Sequence, residues 1–243
     1  MSFAAVIKSI INKYLLITCQ KLNTTLIFLL IVIINFSSLT AAEENDITDW
    51  KLVKNNNDIK AYVEEGPLSD IKSVKVETVV IANLSQLVSI IKDAESHSDW
   101  VYMNEEAAIL EINDCCHWKY YGRTDVPWPA TDRDCVIQTT LRQDSLDYSV
   151  TISGNAISGY KDKEEDCVRI QKSHSIWTLN PLGNDMVHVS FELKVDVGGN
   201  IPNWLVNMAV SKGPFKTMTA FKEIVNSGKY ESSKLNYIKE YPH

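Results

Sequence analysis

From Val187 to Val197 the sequence alternates without a fault: Val187, Val189, Phe191, Leu193, Val195 and Val197 are separated by His188, Ser190, Glu192, Lys194 and Asp196. A period of two puts the apolar side chains on one face of a strand and the polar ones on the other. Such a strand belongs in an antiparallel sheet with one dry face and one wet face. Past Gly198-Gly199 the period lengthens. Trp204, Leu205, Met208, Phe215, Met218, Phe221 and Val225 fall within one stripe at helical spacing, which predicts a long C-terminal helix over 201–225. Pro202 stands where a first-turn proline is tolerated, whereas Gly213-Pro214 is expected to interrupt the helix. A sheet with one long apolar face and a helix with one apolar stripe pack economically only against each other.

The rest of the chain supplies the other strands. Ile59–Val63 and Ile71–Ile81 read as a pair, followed by a helix over Leu84–Ala94 that Asn83 or Ser85 would cap. Strands are then expected at Glu106–Ile112, Cys116–Thr124, Asp134–Arg142, Tyr148–Ala156, Cys167–Leu179 and Met186–Val197. Turn residues separate them at 127–129, 143–145, 161–166 and 181–184. The fold class is α+β: a strongly curved antiparallel sheet with a long C-terminal helix across it and an apolar cavity between them. Residues 228–243 are polar and read as a loose tail.

The first 42 residues have a different character. They hold Lys8, Lys13 and Lys21 but no Asp or Glu, and carry an apolar run from Leu26 to Ile34 before small residues and Glu43-Glu44. This is the pattern of a secretory signal peptide cleaved after Ala42. The alternative is an uncleaved anchor over 22–42, about the ~20 residues a bilayer needs. The expectation is an exported protein, periplasmic or secreted. The chain carries a formal charge of −7, and without the leader 21 basic residues face 31 acidic ones. So acidic a chain, with no basic stripe, is not expected to bind nucleic acid. Cys115, Cys116, Cys135 and Cys167 remain after cleavage, and three pairings or four free thiols are open to them.

Catalytic signatures are missing. There is no Gly-x-Ser-x-Gly, no phosphate-cradling glycine loop and no His-Glu-x-x-His, so no catalytic residue, metal ligand or cofactor is assigned. Cys115-Cys116-His117 would alternate faces on a strand and make poor joint ligands. His174 shares its strand face with Val168, Ile170, Lys172 and Ile176. If that face is concave, His174 is a polar group able to orient a ligand head group; otherwise it is a core histidine, or a bulge puts Trp177 inside instead. The same phase argument turns Trp118, Tyr120, Thr139 and Ile152 inward. Trp204, Met208, Phe215 and Met218 of the helix would cover the cavity, their adaptable methionines suiting a flexible apolar ligand.

Two segments resemble a known family. Pro127-Trp-Pro-Ala-Thr-Asp-Arg-Asp134 is similar to the "PWP…RD" segment of the steroidogenic-acute-regulatory-related lipid transfer (START) family. Gly198-Gly-Asn-Ile-Pro-Asn-Trp-Leu-Val-Asn207 is similar to that family's approach to its C-terminal helix. The order of elements over 47–227 agrees. The resemblance implies a helix-grip fold, with the sheet wrapped around the helix and a tunnel holding one lipid. It also implies a non-enzymatic role in binding or transferring a sterol, phospholipid or other apolar ligand through transient membrane contact. Trp128, Arg133 and Asp134 match the motif, and Arg133 and Asp134 are expected to pin a turn to the sheet. Some members carry a buried acid–arginine pair that meets the ligand; here Thr139 stands near the arginine's position, with Arg142 the nearest alternative. A cyclase or hydratase in the same grip, or a ligand-free interaction module of the envelope, are the rival readings.

Overall fold

A computed structural model describes residues 49–65, 72–198 and 212–242. The leader or anchor expected over 1–42, and Trp204 and Met208 of the predicted helix, lie outside these residues. Among the described residues no helix is long and apolar enough to cross a membrane.

The chain runs β1 (Asp49–Asn56), β2 (Ile59–Glu65), β3 (Lys72–Ile81), α1 (Leu84–Lys92), a 3-10 turn (Ala94–Ser96) and the short α2 (His97–Trp100). It continues through β4 (Asn104–Ile112), β5 (His117–Thr124), β6 (Asp132–Gln143), β7 (Val150–Ala156) and β8 (Cys167–Arg169). Then come β9 (Lys172–Gly183), β10 (Met186–Asp196) and α3 (Gly213–Asn226). Nine strands form one antiparallel path in the order β1-β2-β3-β10-β9-β7-β6-β5-β4, and β8 pairs in parallel with β6. β7 covers only Ile137–Gln143 of β6, so β8 pairs with Asp132–Asp134, the stretch that β7 does not reach.

Three elements depart from the sequence expectation, each for a local reason. β1 was not foreseen, because an edge strand with Leu52 and Val53 both about half exposed has no alternation to read. It is joined to β2 through Asn57 and Asp58, both at positive φ (52° and 60°), a conformation Asn and Asp tolerate in a tight hairpin. β9 runs on through the expected turn residues Pro181 and Leu182. Proline is accepted there because β7 ends at Leu179, leaving that stretch with β10 as its one neighbour on the sheet path. The tail beyond Gly228 is not loose. Ile238 is buried, the Tyr230 hydroxyl donates to Asp93 (2.6 Å), and the Glu240 carboxylate accepts from the amides of Leu84 and Ser85 (2.7 and 2.9 Å).

Those two bonds complete the start of α1. Asn83 caps it as expected, its side-chain oxygen accepting from the Gln86 amide (2.7 Å). With Glu240 added, three of the four amides a helix leaves without intrahelical partners are satisfied. α1 then presents Leu84, Leu87, Val88 and Ile91 to a core that also takes Met218, Phe221 and Val225 from α3 and Val187 and Val189 from β10.

Candidate functional site

The apolar faces of β5, β6, β7, β9 and β10 do not close completely on the helices. Between them lies a cavity of about 320 Å³, at the lower end of the range for small-molecule sites (~300–1,000 Å³). Strand alternation supplies the wall. β6 contributes Arg133, Cys135, Ile137 and Thr139; β5 contributes Trp118, Tyr120, Gly122 and Thr124; β10 contributes Phe191, Leu193 and Val195. Gly213, Pro214 and Thr217 of α3 complete one side, and the Thr217 hydroxyl accepts from the Tyr102 amide (3.1 Å), tying the helix to the segment after α2. Position 154 admits no side chain: a Cβ there would stand 2.7 Å from Ser175 Oγ and 2.9 Å from Ile137 Cγ2.

The structure brings together Trp118, Tyr120, Thr139 and Ile152 on this wall. It does not bring His174 there. His174 is exposed, its Nδ1 2.8 Å from Asn155 Oδ1, while Ser173, Ser175 and Trp177 line the cavity. The reason is a break in the strand at Ile170-Gln171, where β8 leaves β6 and β9 begins. Ile170 still faces the cavity, so alternation carried across the break gives His174 the wrong face. Phe215 and Met218 also differ from expectation: they belong to the packed core beside the cavity, with Met218 wholly buried and Lys54 over the Phe215 ring. The helix residues that reach the wall are instead Gly213, Pro214 and Thr217.

Besides Arg133, three titratable wall residues have displaced equilibria. Burial lowers the pKa of His97; its Nε2 lies 3.0 Å from the Ile91 carbonyl, which can only accept, so this nitrogen carries the ring proton. Burial pushes Tyr120 up, and Cys135 up to about 12. The aromatic rings of His97, Trp100 and Tyr120 meet edge to face at 5.2 and 5.5 Å.

Cys115 and Cys116 stand outside the cavity. They lie in the turn before β5, not on a strand, so their sulfurs do not alternate but approach to 3.2 Å as free thiols. Cys135 and Cys167 are free as well. His117 Nδ1 is held by Asp114, both oxygens at 2.9 Å.

A family model of the START domain matches residues 37–229. The chain belongs to the START domain family. An uncharacterized protein of Pseudomonas aeruginosa is 28% identical over 174 residues, covering 72% of this chain and 85% of the relative. The crystal structure of a STAR-related lipid transfer protein fragment from Xanthomonas axonopodis superposes with a TM-score of 0.67 at 28% identity. It covers 73% of this chain and 98% of that one. Human StAR-related lipid transfer protein 5 shares the fold, with a TM-score of 0.67 at 13% identity over 75% of this chain and 89% of its own.

In this START domain the motif residues part company. Trp128 is 89% exposed. Asp134 and Arg169 make two parallel hydrogen bonds (2.8 and 2.7 Å) on the face of β6 away from the cavity. Arg169 also donates to the carbonyls of Lys161 and Asp162, both at 2.9 Å, which pins the 157–166 loop. Arg133, one residue earlier, points the other way and lies on the cavity wall. Arg142 is exposed and takes no part.

Proposed function

We propose that this START domain binds a single lipid in the internal cavity and acts as a carrier, not as a catalyst. One observation supports the reading above the rest: side chains from six strands and α3 enclose about 320 Å³ with a wall made largely of Val, Ile, Leu, Phe, Trp and Tyr. Burial of an apolar ligand there is favoured by roughly 25 cal/mol per Å² removed from water. The titratable wall residues oppose catalysis near neutral pH. His97 is biased to its neutral form, and Tyr120 and Cys135 are held protonated, so none is poised to move a proton. The finer reading is transfer between membranes by an exported protein. It draws on the Xanthomonas relative, whose description is a lipid transfer protein, and on the leader-like residues 1–42. Trp118, Tyr120 and Thr139 are the proposed ligand contacts on the sheet.

Mass spectrometry of the organic extract of the protein, purified without detergent, tests the reading. A stoichiometric lipid is the expected result. An empty, folded protein that takes up no offered sterol, phospholipid or fatty acid would overturn it.

A further inference from the structure

The described wall of the cavity includes no Asp, Glu or Lys, and its one formally charged side chain is Arg133. That residue is 6% exposed. Its guanidinium donates to the backbone carbonyls of Thr131 and Gly198, the latter at 3.4 Å, and its Nε has no acceptor among the described residues. It forms no ion pair among the described residues, because the adjacent Asp132 is taken by Arg123 (3.1 and 2.6 Å) and by the Val126 amide (3.0 Å). Backbone carbonyls satisfy hydrogen bonds but not a full positive charge, and burial accordingly lowers the Arg133 pKa from its ordinary value.

Other polar atoms show that the wall is incomplete in the same sense. Of the five buried side-chain N or O atoms without a partner among the described residues, four belong to wall residues: Arg133 Nε, Asn104 Oδ1, Thr139 Oγ1 and Trp100 Nε1. They mark two ends. Asn104 pairs with Thr124 and Thr124 with Arg133, so these stand side by side across three strands. Thr139 lies six positions along β6 from Arg133, on the order of 20 Å away, opposite the buried Trp118. The intervening β6 wall is Cys135 and Ile137, faced by Tyr120 and Gly122 of β5. One end is cationic, the β5–β6 stretch between carries no formal charge, and the far end offers neutral groups, the Thr139 hydroxyl and, two strands across through Gly154, Ser175.

We infer that the cavity takes an anionic amphiphile, whose acid group is met by Arg133 and whose tail runs along β6 toward Thr139. This rests on the lipid-binding reading and narrows it to a class of lipid. The protein is acidic overall, with a formal charge of −7, so the preference is local to the cavity and runs against the net charge. Carboxylate and phosphate share the required chemistry. A phosphate head group on glycerol would also bring a hydroxyl, the kind of donor Asn104 Oδ1 lacks.

The test compares ligands that differ only at the head. Binding of palmitate, methyl palmitate and palmitoyl lysophosphatidate to the purified protein is measured by displacement of a fluorescent fatty acid or by calorimetry. An ionised hydrogen-bonding group in a dry site makes the acids bind roughly 10- to 100-fold tighter than the ester. Whichever acid binds tighter names the head group. Arg133→Gln should remove the preference for the acids over the ester, and Arg133→Lys should keep part of it. The comparison on the unmutated protein stands even if a variant fails to fold. Equal affinity for palmitate, lysophosphatidate and ester overturns the Arg133 inference and leaves lipid binding intact. No binding by any of the three overturns this inference, and the lipid reading fails with it only if the extract is also empty.

Discussion

Arg133 and Arg169 are both more than nine-tenths buried and both attach to β6, yet they are held in opposite ways. Arg169 is matched by two oxygens of Asp134 and two backbone carbonyls, and the ion pair is 4% and 1% exposed. Arg133, on the cavity face one residue before Asp134, has two backbone carbonyls and, among the described residues, no carboxylate. A complete set of partners makes a rigid clasp for a loop. An incomplete set leaves attraction available for something the chain itself does not provide. On β6 the outer face carries the matched network and the cavity face the open one.

Substitution at each arginine tests this contrast. Arg169→Met should destabilise the protein by about 3–5 kcal/mol in urea denaturation, because it strands the buried Asp134 carboxylate. A loss under about 1 kcal/mol would break the comparison. Arg133→Met should cost less, about 1–2 kcal/mol for two carbonyls left without donors, since no carboxylate is orphaned. Equal losses for the two variants would show that Arg133 is as fully matched as Arg169.

Two smaller effects sharpen the picture. Thr139→Val replaces a buried hydroxyl that has no partner among the described residues with a methyl group of similar shape. The ligand-free protein should therefore gain up to about 1 kcal/mol, read as a higher Tm; a lower Tm would mean that the hydroxyl is satisfied. The last prediction is one of sign. His97 has a folded-state pKa below its ordinary 6.5, so the unfolded chain binds the extra proton first. Its contribution to stability is fully present above about pH 6.5 and is lost progressively as pH falls from there through the lower folded-state value. Tm should decline between pH 7.5 and 5, and less steeply in His97→Phe; identical slopes would remove His97 as the cause.

The sheet was legible wherever alternation was unbroken. β10 and the inward phases of Trp118, Tyr120, Thr139 and Ile152 follow from a period of two that one buried face enforces. Legibility failed where a local rule was reset from a distance. His174 was turned outward by the break at Ile170-Gln171, which exists because β8 finds the free stretch of β6. Phe215 and Met218 share the helix stripe but fall beyond the cavity, and the stripe alone does not say where along α3 the sheet makes contact. Arg133 carries a signal, the Arg-Asp pair of the family motif, but two neighbours on a strand face opposite sides, so the motif does not act as one unit.

By itself the sequence determined the class of structure: one sheet with a dry face, one helix with a dry stripe, and the family that combines them. Those properties are periodic and local, so they survive without coordinates. The tertiary structure alone decided which polar groups are matched. Asp134 is 35 residues from Arg169 and Glu240 is 156 from Leu84. Whether a buried charge has a partner is settled only when distant segments arrive beside it, and it is this matching that leaves the cationic end of the cavity open.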